Sequence, residues 1–209
     1  MRAALALPVL LLAACGDDVT PAAPVTMRER LATQTPLFIA ASASAGAVTA
    51  QMRTSSGWGN GLVDLKLAGG ELVARAGAGG GLSLGAVSLE LDTITIPASL
   101  TGHAAELTRP RLEMAAPIEL PAVWTGDDSA AVDATLAFDL SWELTVDGVG
   151  LPLGAPSLPP LPVKLQLSGD GSRVTAELRV HAPGELWSWA DLIKLTDLEL
   201  VLGADTSAR

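Results

Sequence analysis

The sequence predicts a mainly β protein, an antiparallel β-sandwich or a curved, partly closed sheet with one or two short helices. Three observations lead there. Apolar residues recur with a period of two over several stretches, turn-forming Gly, Asp and Pro residues separate those stretches, and no strand–helix–strand alternation appears. Such strands set one face on a core and the other in water. With 49% hydrophobic but only 3% aromatic residues and no tyrosine, the core has to be built from Leu, Val, Ile and Ala.

Thr26 followed three residues later by Glu29 is a capping box, which predicts a helix of about two turns running through Gln34. Residues 35–56 open on Leu37, Phe38 and Ile39, but Ala, Ser and Gly then dominate and neither helical nor strand periodicity is clean. From Leu62 the period is two. Val63, Leu65 and Leu67, then Gly69-Gly70, then Leu72, Ala74 and Ala76 predict a hairpin turning at the glycine pair. Residues 82–96 form a longer strand whose phase slips near Gly85-Ala86 and near Thr93, the signature of bulges. Residues 107–114 are a weaker strand, which Pro110 should confine to an edge.

Leu136, Phe138, Leu140, Trp142, Leu144 and Val146 alternate strictly with small and polar residues, the clearest half-buried strand in the chain. Five prolines among residues 148–162 predict a stiff, extended connection rather than a strand within the sheet. Beyond it, Val163 to Val180 read as a hairpin turning at Gly169-Asp170-Gly171-Ser172. Residues 186–192 suggest a short helix or loop, and Leu198, Leu200 and Leu202 a last strand. Seven or eight strands in one domain result.

The front of the chain carries an address. Met1-Arg2 is a short positive region, Ala3 to Leu12 an apolar run too short to cross a bilayer, and Leu12-Ala13-Ala14-Cys15 follows, holding the only cysteine. This segment resembles the type II signal of bacterial lipoproteins. The resemblance implies cleavage before Cys15, a diacylglyceryl group on its thiol, usually an acylated α-amine, and durable anchoring in a membrane leaflet. Gly16, where an aspartate would retain such a protein at the inner membrane, favours the outer membrane. Residues 1–14 are then signal peptide, 15–25 the lipidated cysteine and tether, and 26–209 a single β-rich domain.

The formal charge is −10, and losing Arg2 with the signal takes it to −11, which argues against nucleic acid as a partner. Catalytic patterns are thin. Gly81-Leu82-Ser83-Leu84-Gly85 has the letters of a nucleophile elbow, with Asp139 and His181 downstream in the order of an α/β-hydrolase. The elbow needs a helix after the serine, whereas a strand pattern follows, so Ser83 is expected on a strand between core neighbours. His103 with Glu106, and the acids Asp127, Asp128 and Asp133, lack the spacing of zinc or calcium sites. No metal or cofactor is expected. The five tryptophans, Trp58, Trp124, Trp142, Trp187 and Trp189, offer indole faces suited to a lipophilic or sugar ligand; Trp142 falls on the core face of its strand, and Trp187 and Trp189 are the residues most suited to a ligand or partner contact at one end of the sheet. Three functions follow, in order: a non-enzymatic interaction or structural module on a lipid anchor, a periplasmic carrier or binder of a lipophilic ligand, and a hydrolase. The partners would be the membrane at Cys15 and an envelope protein or lipophilic ligand. A continuous apolar cavity of roughly 300 Å³ or more would separate the carrier from a filled module.

Overall fold

The structure is a computed structural model that describes residues 25–54, 57–96, 98–101, 105–151, 158–170, 172–189 and 193–207. Cys15 and the signal and tether readings before Val25 lie outside them, as do His103, Pro152 and Pro156.

The capping box forms as read: Thr26 Oγ1 accepts from the Glu29 N–H at 3.2 Å, and the Glu29 carboxylate accepts from the Thr26 N–H at 2.9 Å. Helix α1 (Met27–Arg30) is a single turn, however, shorter than expected. Thr35 Oγ1 donates to the Arg30 carbonyl, and the carbonyl of fully buried Leu31 takes the Ala76 N–H at 2.6 Å, so the chain is drawn out of the helix into β1 (Thr35–Ile39). A 3-10 turn at Ala41–Ala43 leads to β2 (Ala45–Thr54) and β3 (Gly57–Leu65). The small residues that blurred this stretch have a packing reason: a Cβ on Gly46 would collide with the Leu200 side chain, and one on Gly203 would press on Ala43 at 2.8 Å.

The expected hairpin at Gly69-Gly70 does not form. Strand β4 (Leu67–Ala76) runs straight through the glycine pair and joins β1 and β5 (Leu82–Leu91), while β3 pairs with β2. Alternation shows which face is inward but not which strand lies alongside. The ladder between β4 and β5 shifts at Leu67/Gly69, and a Cβ on Gly70 would strike the Ser88 carbonyl, so the glycines serve close strand approach. Gly85 is bulged as read, with Val73 facing Ala86 and Ala74 facing Leu84. After a break at Asp92-Thr93 come β6 (Ile94–Ile96) and α2 (Ala98–Thr101).

Strand β7 (Ala105–Met114) is interior, paired with β5 and β6 on one side and with β11 (Phe138–Val146) on the other, which corrects the edge expectation for Pro110. Proline lacks an N–H to pair, but a bulge accommodates it as well as an edge does. Between β7 and β11 lie β8 (Ile118–Leu120), β9 (Val123–Trp124) and β10 (Ser129–Leu136). The alternating stretch 136–146 is therefore two strands that part at Ala137. Val149–Leu151 forms β12 against β11, and Pro162 lies within β13 (Leu161–Gly169) opposite Thr135, so the connection is shorter than the proline count suggested. Strand β14 (Val174–Trp189) continues through Trp187 and Trp189 where a helix or loop was expected, with register shifts at Ala182/Glu185 and Glu185/Trp187 around Pro183-Gly184. It pairs along β15 (Ile193–Asp205).

Every pairing is antiparallel, and the path runs β12-β11-β7-β5-β4-β1-β15-β14-β13-β10-β9 without closing; β2 joins β15 beside β1 and carries β3. Strands β10 and β11 stand near opposite ends of that path, yet one residue joins them. The sheet must therefore curl until its flanks meet at Ala137, whose carbonyl accepts from the Ala115 N–H at 3.0 Å. The curl encloses one continuous aliphatic core, with Phe138 its sole fully buried aromatic among the described residues.

Candidate functional site

The sequence-selected polar residues are scattered by this topology. Ser83 lies within β5, paired with Arg75 and Glu119 and flanked by buried Leu82 and Leu84, as expected for a strand serine. Asp139 is on β11 and His181 on β14. Four strand spacings along the sheet separate β5 from β14, roughly 19 Å at ~4.8 Å each. His181 Nδ1 instead faces Glu199 Oε1 at 3.2 Å on the exposed surface. The acids have structural employment too. Asp128 Oδ1 accepts the Met27 N–H at 2.7 Å, Asp127 pairs with Arg28 at 3.8 Å, and Asp133 stands 3.9 Å from Lys164. Asp127 and Asp128 thus hold the first turn of the domain, while Glu106 sits exposed on β7.

The tryptophans divide by role. Trp124 donates Nε1–H to the Gly80 carbonyl at 2.7 Å, and the Arg28 guanidinium lies 4.9 Å from its ring centroid. Trp58 is exposed on β3 with the Lys194 ammonium 5.3 Å from its ring; Lys194 also bonds Glu185 at 2.8 Å, holding that carboxylate below its ordinary range. Trp142 and Trp187 meet edge to face, ring centroids 4.7 Å apart at 74°. The tryptophan placed in the core and one of the two offered for contact are thus neighbours. Trp189 closes β14 opposite Ile193.

Between the β2–β3 hairpin and the β7–β11 wall the core leaves an apolar cavity of about 50 Å³. Val48, Ala50, Val63 and Leu65 form one side, Leu107, Leu112 and Leu140 the other, and Trp142 and Leu186 border it. A cavity three times as large is needed to take up a molecule such as benzene, so in this form it admits no drug-sized ligand.

The wall beside Trp142 is interrupted. Register between β7 and β11 passes from Arg111↔Ser141 to Thr108↔Glu143, leaving Trp142 opposite both Arg109 and Pro110. Pairing of β5 with β7 stops at Glu90↔Arg111, and that of β6 resumes only at Leu107. Arg109 has φ 51°, the left-handed region that a non-glycine residue adopts at a cost. Outside this gap lies a surface concavity of about 510 Å³ bordered by Glu90, Arg109, Arg111 and Glu143. Leu91, Pro110 and Trp142 border both spaces. Trp142 Nε1 is buried and has no hydrogen-bond partner among the described residues. Sequence reading placed Trp142 in the core and missed this gap; the signal was Pro110 inside an otherwise strand-like run. No protein-family model matches the chain, and no curated protein is significantly similar to it.

Proposed function

We propose that the chain is a lipid-anchored protein of the cell envelope, held by Cys15 and favoured for the outer membrane, whose β-rich domain acts as a non-enzymatic interaction or structural module. The observation that carries this reading is the filled interior: about 50 Å³ is free where a carrier with a standing cavity would need several hundred. The clamping of α1 to Asp127 and Asp128 is consistent with a domain whose first residues take the load of a tether. Cys15→Ser tests the anchor, because the thiol is the acyl acceptor. The variant should leave the membrane fraction and lose incorporation of a clickable palmitate analogue; an exported parent protein that takes up no label refutes the reading. A second reading, binding of a lipophilic ligand, is favoured by one specific observation: Trp142, whose buried indole N–H has no partner among the described residues, borders both an apolar cavity and an open concavity.

A further inference from the structure

We infer that the interrupted wall at Trp142 is the entrance to a binding site for a single-chain amphiphile with a zwitterionic phosphate head group. The inference deepens the ligand-binding reading and is independent of the anchor at Cys15. The inner space is lined wholly by apolar groups, so only hydrocarbon gains by entering it. The outer space offers opposite charges. Arg109 has no ion pair or hydrogen bond among the described residues, whereas Arg111 is taken up by Glu90 at 3.7 Å and Glu113 at 3.1 Å. Arg109 is therefore the cation left for a phosphate, and Glu143 on the opposite strand is the carboxylate left for an ammonium.

Trp142 links the two spaces. Native proteins leave few buried donors unpaired, and a head-group oxygen would supply the acceptor its N–H lacks. The cavity as it stands seats only the end of an alkyl chain. A longer tail requires the edge-to-face contact of Trp142 with Trp187 to part, and the break in the ladder between Arg111↔Ser141 and Thr108↔Glu143 leaves Trp142 without a direct strand partner to resist that.

Titration calorimetry of the full chain carrying Cys15→Ser, with dodecylphosphocholine below its micellar concentration, tests this. Saturable one-to-one binding is expected, tighter than for dodecanoate, which leaves Glu143 facing no cation, and tighter than for dodecanol. Arg109→Gln should weaken dodecylphosphocholine by about tenfold, the loss of one charge-assisted bond, and leave dodecanol unchanged. Ala50→Leu, which fills the cavity, should weaken all three, and Trp142→Phe should weaken the phosphate ligand while keeping the ring. Absence of saturable binding, or binding indifferent to both Arg109→Gln and Ala50→Leu in variants that melt like the parent, overturns the inference. Neither result bears on the anchor, which membrane partition reads separately.

Discussion

The two flanks of the sheet bury aliphatic side chains by different means. Along β10, β13 and the first part of β14 the register is unbroken from Ser129↔Ser168 to Leu136↔Leu161 and from Val163↔Val180 to Gly169↔Val174, and inward residues alternate over 129–136, 161–168 and 174–182. Along β5, β7 and β11 the ladder skips at Trp142, Arg109 turns left-handed, and the cavity lies behind the fault. An uninterrupted ladder lets side chains interdigitate at crystal-like density. A bulge leaves one residue unpaired and bends the strand, which re-aims the side chains beside it; here the cavity lies next to it. The regular flank packs without such a gap, and the irregular flank places the apolar cavity and the surface concavity on either side of Leu91, Pro110 and Trp142.

That contrast predicts unequal costs for equal truncations. Leu165→Ala on β13, where the side chain is buried in the regular flank, should destabilise by about 3–5 kcal/mol. Leu112→Ala beside the cavity should cost about 2–3 kcal/mol, because part of its surroundings is already empty and fewer contacts are lost. Denaturant melts of both variants measure the gap. Equal losses would mean that the cavity is collapsed in solution and that the flanks pack alike.

The complementary pair adds volume. Ala50→Leu projects into the cavity and should stabilise by about 1 kcal/mol, whereas Val132→Leu on β10 meets a full core and should cost about 1–3 kcal/mol. A destabilising Ala50→Leu with an ordered structure would place the free volume elsewhere.

The same contrast explains what could be read in advance. The β13–β14 hairpin, the capping box at Thr26 and the bulge at Gly85 were legible because each is a local pattern: alternation around a turn, a three-residue reciprocal bond, a one-residue phase slip. Partnership between strands was not. Leu65 and Leu67 are both inward, so the sequence on either side of Lys66 looks like one hairpin, although β3 and β4 belong to different branches of the sheet. Ala137 hides in the same way, since Leu136 and Phe138 keep the alternation while the chain passes from one flank to the other. The same limit applies to the candidate site: Trp142 and Trp187 were each singled out, but on separate grounds, and their contact arises only from the curl that brings β11 and β14 together.

The smallest expected effect concerns two exposed carboxylates beside β14. At the β13–β14 turn the Ser172 hydroxyl, then the N–H groups of Arg173 and Ser172, hold Asp170 at about 2, while near the β14 bulge the Gly184 N–H and then the Thr196 hydroxyl lower Asp197. Both folded values lie below the ordinary 3.8. The unfolded chain therefore binds the proton first as pH falls, and the stability each group contributes is present above that ordinary value and fades as pH drops through the folded one. Asp170→Asn should accordingly be less stable than the parent at about pH 5, with the difference shrinking toward about pH 2. Asp197→Asn should behave alike, with its difference disappearing as pH falls through its own lowered value. Denaturant midpoints across that range decide the matter: a difference for Asp170→Asn that stays constant down to about pH 2 would show that its side chain shapes the turn through geometry that asparagine cannot reproduce, and not through its charge.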